Sequence, residues 1–154
     1  MRLTNEFEID APLEMVWAVL TDVPRVTACI PRGRLLAALD ATRFRAAVAV
    51  RVGPVVIDYV VTVRIDELDH AANTARLHVF GQQLIGVGAV TAAVHSVVRA
   101  AGERTRVRLE TSANVGGIVG AVGRPVIEAI ARRKLAEFAA NVARLANELA
   151  VELP

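Results

Sequence analysis

Residues 2–9 alternate without a break. Leu3, Asn5, Phe7 and Ile9 fall on one face, and Arg2, Thr4, Glu6 and Glu8 on the other. A period of two is the signature of a half-buried strand. At Asp10-Ala11-Pro12 the pattern changes. Proline suits a first helical turn and the Glu14 carboxylate favours the positive end of a helix, so a helix is expected here with Met15, Val16, Val19 and Leu20 as its core stripe. Pro24 is expected to stop it. A second short helical piece is predicted over 23–30, ending at Pro31-Arg32-Gly33.

Period two then returns and persists to residue 115, predicting strands over 34–40, 43–52, 55–68, 74–83, 87–100 and 104–115. Val52-Gly53-Pro54, Asp69-His70-Ala71-Ala72-Asn73, Leu84-Ile85-Gly86 and Ala101-Gly102-Glu103 separate them, each short enough to join antiparallel neighbours. After Gly116-Gly117 the spacing becomes three or four. Ile127, Ile130, Ala131, Leu135, Phe138, Val142, Leu145 and Leu149 form one stripe, whereas Lys134, Glu137, Asn141, Arg144 and Glu148 lie largely off it. This predicts an amphipathic helix of about 25 to 30 residues lying along the sheet. The expected fold class is α+β: a seven-stranded curved antiparallel sheet around a long C-terminal helix, with two short helices after the first strand, in one domain over residues 1–154.

Composition sharpens this picture. The chain is 54% hydrophobic yet has only one Trp, one Tyr and four Phe, so its apolar mass is almost all Ala, Val, Leu and Ile. A domain of 154 residues buries roughly two thirds of its unfolded surface without disulfides or a structural metal, which excludes disorder as its main state. Cys29 stands alone, which excludes an intrachain disulfide and any zinc framework of paired cysteines. Lys134 is the only lysine, and the net charge of +2 is too small to favour nucleic-acid binding. The 22 residues from Leu77 to Val98 carry no formal charge and are long enough to cross a bilayer. They contain His78, Gln82, Gln83 and His95, are broken by Gly81, Gly86 and Gly88, and hold their β-branched residues in two blocks, which reads as two strands around a turn. The first residues reach Glu6 without an apolar signal-peptide core, so a cytoplasmic location is expected.

Particular strings resemble the CoxG family of carbon monoxide dehydrogenase subunits, within the START-like (SRPBCC) helix-grip superfamily. They are Glu6-Phe7-Glu8-Ile9 with Ala11-Pro12 and Val16-Trp17, then Ala28-Cys29-Ile30-Pro31. Val52-Gly53-Pro54-Val55, Val63-Arg64-Ile65, Leu68-Asp69 and Val115-Gly116-Gly117 with Gly120 and Gly123 continue the match. One stretch departs from the family pattern: 84–90 reads Leu-Ile-Gly-Val-Gly-Ala-Val, where the family is richer in glycine and polar residues. The resemblance implies that the last strand closes beside the first, setting Arg106 and Arg108 against Glu6 and Glu8. It further implies a bound lipid or isoprenoid quinone. The implied partners are a molybdenum-containing carbon monoxide dehydrogenase-like enzyme and the inner face of the membrane, in recruitment, assembly or electron delivery. With no extended tail expected beyond Pro154, membrane contact would fall to the protein surface.

Strand parity identifies which side chains face the helix. The inward set is Phe44, Ala46, Val48, Val50, Tyr59, Val61, Leu77, Val79, Ala92, Val94, Ser96, Leu109, Thr111 and Ala113. Many are small, so with Ile127, Ile130 and Phe138 of the helix they are expected to line an apolar pocket, unless the larger helix residues plug it. Counting turns puts Gly53-Pro54, the 84–88 turn and the 115–120 helix start at one end. There Gly53, Pro54, Leu84, Ile85, Val87, Gly116, Gly117, Ile118 and Val119 are expected to form an apolar rim or membrane contact, with Arg124 at its edge. His78 and His95 share parity with outward arginines and His70 sits in a turn, so neither a catalytic residue nor a metal site is expected. No nucleophile elbow or P-loop is present. The leading expectation is a non-enzymatic carrier of a hydrophobic molecule. An enzyme of the same fold, a cyclase or hydrolase, would need an inward acid or base, and only Tyr59, Thr111, Ser96 and Asn5 are inward polar groups. An assembly adaptor with a filled core is the third reading.

Overall fold

The period-two runs fold as strands and pair into one antiparallel sheet. The computed structural model describes residues 1–152. Its elements are β1 (Arg2–Ile9), α1 (Leu13–Leu20), α2 (Val23–Cys29), β2 (Arg34–Ala38), β3 (Arg43–Val52), β4 (Val55–Asp69), β5 (Thr74–Gln83), β6 (Ala89–Ala101), β7 (Arg104–Val115), α3 (Gly117–Ala121) and α4 (Arg124–Glu152). The seven strands run in the order β1-β7-β6-β5-β4-β3-β2. The last strand therefore lies beside the first. Register puts Glu6 opposite Arg108 and Glu8 opposite Arg106, and the side chains pair at 2.6 and 3.3 Å.

Several boundaries differ from the sequence expectation for local reasons. Pro12 is the N-cap of α1 rather than its first helical residue. Pro24 does not stop α1, which ends at Leu20 with Thr21 as its C-cap; it sits in the first turn of α2, where Asp22 caps by accepting from the Arg25 N–H at 3.0 Å. A proline in that position loses nothing, because its missing N–H has no helical acceptor. β6 starts at Ala89 because Gln83 N–H donates to Gly88 O and closes the β5–β6 turn. The C-terminal helix α4 has 29 residues, within the expected length, and the five-residue α3 precedes it across Val122-Gly123, with Gly123 at φ +89. A bulge between Ile65 and Glu67 shifts the β4–β5 register by one residue.

α4 is anchored by more than its apolar stripe. Lys134 Nζ donates to Pro31 O at 3.1 Å, Asn141 Nδ2 to Cys29 O at 2.9 Å and Asn147 Nδ2 to Asp10 O at 3.1 Å. Lys134 and Asn141, placed off the stripe by periodicity, thus turn partly buried toward the α2–β2 connection and satisfy its carbonyls. The buried Thr105 hydroxyl does the same for Ala11 O at 2.8 Å.

The core is divided. One cluster joins Ile9, Ala11, Val16, Val19 and Cys29 to Val98, Val107, Ala139, Val142 and Ala146. A second, smaller cluster joins Ile57 and Tyr59 to Val119 and Ile127 at the opposite end of the sheet.

Candidate ligand-binding site

The register brings the expected inward set onto one face. Val48 lies opposite Tyr59, Ala46 opposite Val61 and Phe44 opposite Val63. Val79 lies opposite Ala92 and Leu77 opposite Val94, and the face continues to Ala113, Thr111 and Leu109. Burial along this face is uneven. Phe44, Ala46, Tyr59, Ala113 and Ile127 are buried, Val50 and Val61 pack against the smaller cluster, and Leu109 and Phe138 pack against the larger.

Between the clusters, Val48, Val63, Leu77, Val79, Ala92, Val94, Ser96 and Thr111 are only half-buried and belong to neither. The facing stretch of α4, with Ile130, Ala131 and Leu135, is half-buried too. Side chains aimed at a helix in a close-packed interior lose nearly all their exposure. Here the small residues of the middle strands leave a half-buried apolar band on the face turned toward α4. The band is aliphatic except for Ser96 and Thr111.

Two polar groups stand beside this band. Tyr59 is 4% exposed, yet its hydroxyl has no hydrogen-bond partner. Burial pushes the phenol pKa up, so the group is a neutral donor. Gln83 lies directly across the strands from Tyr59. Its Nε2 donates to Ile85 O at 2.7 Å, while Oε1 is buried without a partner. Gln83 adds to the inward polar groups expected from sequence, and the signal that could have found it is its shared parity with Leu77, Val79 and Gly81. Its amide is wedged between Gly88 and Gly117, where a Cβ on either glycine would overlap Oε1 or the facing backbone. Gly117 also holds φ +70, a conformation only glycine adopts freely.

This wedge joins the β5–β6 turn to the start of α3, and Gly116 N–H donates to Ala89 O at 2.9 Å. Four of the apolar residues expected at a rim are exposed at this end. Leu84, Ile85, Val87 and Ile118 are exposed, Ile85 by 85% and Val87 by 93%. Gly53 and Pro54 are exposed at the same end of the sheet. Val119 instead faces Tyr59 and Ile127 in the smaller cluster. It leaves the rim because α3 turns that side of its single turn and a half inward. Arg124 is engaged, its Nε on Glu128 at 2.6 Å and its terminal nitrogen on Arg2 O at 2.7 Å, so it fastens α4 to β1.

Concavities open elsewhere as well. One of about 520 Å³ lies on the outer sheet face beside Thr62, Phe80, Thr91, Ser112 and Asn114. It shares Thr91 and Asn114 with a concavity of about 660 Å³ that reaches Val87, Gly116 and Gly117 at the rim. A third, of about 220 Å³, lies between α4, β3 and the α2–β2 connection and is lined by Pro31, Arg32, Ala49, Arg51, Ile130, Arg133, Lys134 and Glu137. Periodicity along the chain carries no sign of it.

His70 and His78 are engaged away from the half-buried band. His70 Nδ1 accepts from Trp17 Nε1 at 3.0 Å, and His78 pairs with Asp66 on the outer face. Among the described residues no three His, Cys, Asp or Glu side chains converge as a metal site, and no helix is long and apolar enough to cross a membrane.

The family model for CoxG, a carbon monoxide dehydrogenase subunit, matches residues 6–147. No curated protein matches the sequence. Among solved structures, a conserved protein from Geobacillus kaustophilus superposes with TM-score 0.85 at 21% identity, over 96% of each chain. A START superfamily protein from Mycobacterium smegmatis gives 0.68 at 14% identity, over 96% of this chain and 98% of the other. The Zhui aromatase/cyclase from Streptomyces sp. R1128 gives 0.66 at 17%, over 96% and 93%. At these identities the similarities establish the START-like helix-grip fold.

Proposed function

This chain belongs to the CoxG family of carbon monoxide dehydrogenase subunits, and on that premise we propose that it is a non-enzymatic carrier of an apolar small molecule, a lipid or isoprenoid quinone. The observation that carries the reading is the half-buried band of Val48, Val79, Ala92, Val94 and Thr111 under α4, between two separately packed clusters. An apolar surface facing inward without being filled costs stability that a bound apolar molecule restores. The exposed Leu84, Ile85, Val87 and Ile118 lie at the end of the sheet that carries only a turn and a short helix. An apolar rim there suits peripheral contact with the inner face of a membrane, from which such a ligand is drawn.

Membership of the family supports a working place for the carrier beside a molybdenum-containing carbon monoxide dehydrogenase-like enzyme, in membrane recruitment, assembly or electron transfer to quinone. Among the described residues the inward polar groups are a neutral phenol, the Asn5 and Gln83 amides and hydroxyls, which suits binding rather than proton transfer. Native mass spectrometry of the purified protein, before and after lipid extraction, tests the proposal. A mass increment removed by extraction and identified as a lipid or quinone is the expected result. A single unliganded mass that also fails to load added quinone would refute it.

A further inference from the structure

The cavity between α4, β3 and the α2–β2 connection has an unusual wall. Arg32, Arg51, Arg133 and Lys134 line its volume of about 220 Å³, against a single carboxylate, Glu137. None of the four forms an ion pair within 4.0 Å among the described residues, in a chain where many other arginines do. They come from three separate elements, so the convergence is a product of the fold rather than of a local basic run.

Two details show that the cluster is held at some cost. Lys134 is partly buried and gives one donor to Pro31 O at 3.1 Å, leaving its other ammonium hydrogens for the cavity. Burial lowers its pKa; Glu137 opposes this, while Arg32 and Arg133 push the same way as burial. Arg32 sits at φ +58, in the left-handed region that a side chain rarely adopts. A long cation at such a position, next to Gly33, is the reverse of what turn chemistry alone selects.

We propose that this cavity binds a phosphate-class oxyanion, either free phosphate or the phosphate of a lipid head group. Several converging donors match the separate oxygens of a tetrahedral dianion better than a single carboxylate, and the dianion offsets most of the excess positive charge. Ile130 lines the same cavity and belongs to the apolar stripe of α4, so a hydrocarbon chain attached to the phosphate has an apolar path beside it. That last feature rests on the carrier reading, whereas the oxyanion site itself does not.

The test is isothermal titration calorimetry of the full chain at constant ionic strength with three probes: inorganic phosphate, a short-chain lysophosphatidic acid, and the uncharged monoacylglycerol of the same chain length. Saturable binding of inorganic phosphate, or binding of lysophosphatidic acid at least about tenfold tighter than the monoacylglycerol, is expected; the first marks a free-phosphate site and the second a head-group site. The double variant Arg32→Gln with Arg133→Gln changes two exposed side chains and should remove that preference while leaving monoacylglycerol binding unchanged. Absence of phosphate binding together with equal affinities for the two lipids would overturn the oxyanion site and leave the apolar carrier standing. Phosphate binding without any acyl-chain affinity would retain the site and remove acyl lipids from the carrier's ligands. An unaltered preference in the double variant would also overturn the proposal.

Discussion

Tyr59 offers the most direct reading of whether the inner face of the sheet holds a ligand. Its ring is packed against Val119 and Ile127, and its hydroxyl is sealed from solvent without a partner. A buried hydroxyl left unbonded costs about 1–3 kcal/mol. Phenylalanine keeps the ring and its contacts but removes the cost. In the lipid-extracted protein, Tyr59→Phe is therefore expected to raise stability by about 1–3 kcal/mol. For a domain of this size each kcal/mol moves Tm by about 2 to 4 °C, so the variant should melt roughly 2 to 12 °C higher. In protein that retains a ligand bonded to the hydroxyl, the gain should vanish or reverse, because the variant then loses a made hydrogen bond rather than an unmade one. Differential scanning calorimetry on extracted and unextracted samples of both proteins gives the four values needed. A lower Tm for Tyr59→Phe after extraction would refute the reasoning, since it would mean that the hydroxyl is already satisfied in the empty protein.

Three further outcomes follow from other parts of the molecule. A Cβ on Gly120 would overlap the Val115 carbonyl oxygen, so Gly120→Ala should cost about 1–3 kcal/mol in urea denaturation as α3 is pushed off β7; an unchanged midpoint would contradict that packing. Leu84→Asp with Ile85→Asp should abolish co-sedimentation with anionic liposomes while far-ultraviolet circular dichroism stays the same, and persistent binding would remove the rim from the proposed membrane contact. The Thr42 N–H and then the Arg43 guanidinium hold the Asp40 carboxyl at about 2, below its ordinary 3.8. A depressed acid contributes stability above its unfolded pKa and loses it as pH falls through the folded one. Asp40→Asn should therefore flatten the pH dependence of stability between about pH 4 and pH 2, and a carboxyl NMR titration of the parent protein with a midpoint near 3.8 would contradict it.

The strands are legible in the sequence because one face of each is apolar, and a slip of one residue would expose it. That constraint fixes not only their existence but which side chains share the inner face, from Val48 on β3 to Thr111 on β7. It also holds Gln83, whose parity is readable but whose place beside a turn hides it. What a linear pattern cannot convey are the features set by packing between distant elements. Pro24 reads equally as a helix stop or a helix start, and only the Asp22 cap decides. Val119 and Arg124 fall at a rim by proximity in the chain, but the break at Gly123 turns the first into the core and ties the second to Glu128. The cationic cavity depends on how α4 lies against Pro31 and Arg32, more than one hundred residues away in the chain.

The division of the core also sets how the protein opens. Local unfolding free energy tracks the apolar surface that each region buries. The cluster around Ile9, Val16, Val98 and Val142 is large and is secured by Asn141 and Asn147, whereas that around Tyr59 and Ile127 has four buried members and leans on a five-residue helix without a side-chain cap. The two ends therefore exchange with solvent on different schedules. Amide hydrogens of α3 and the 84–88 turn should be lost while those of β1, β7 and the C-terminal half of α4 remain protected. Under the proposed carrier function, a ligand would enter and leave by brief melting at that end while the rest of the sheet stays folded as a handle.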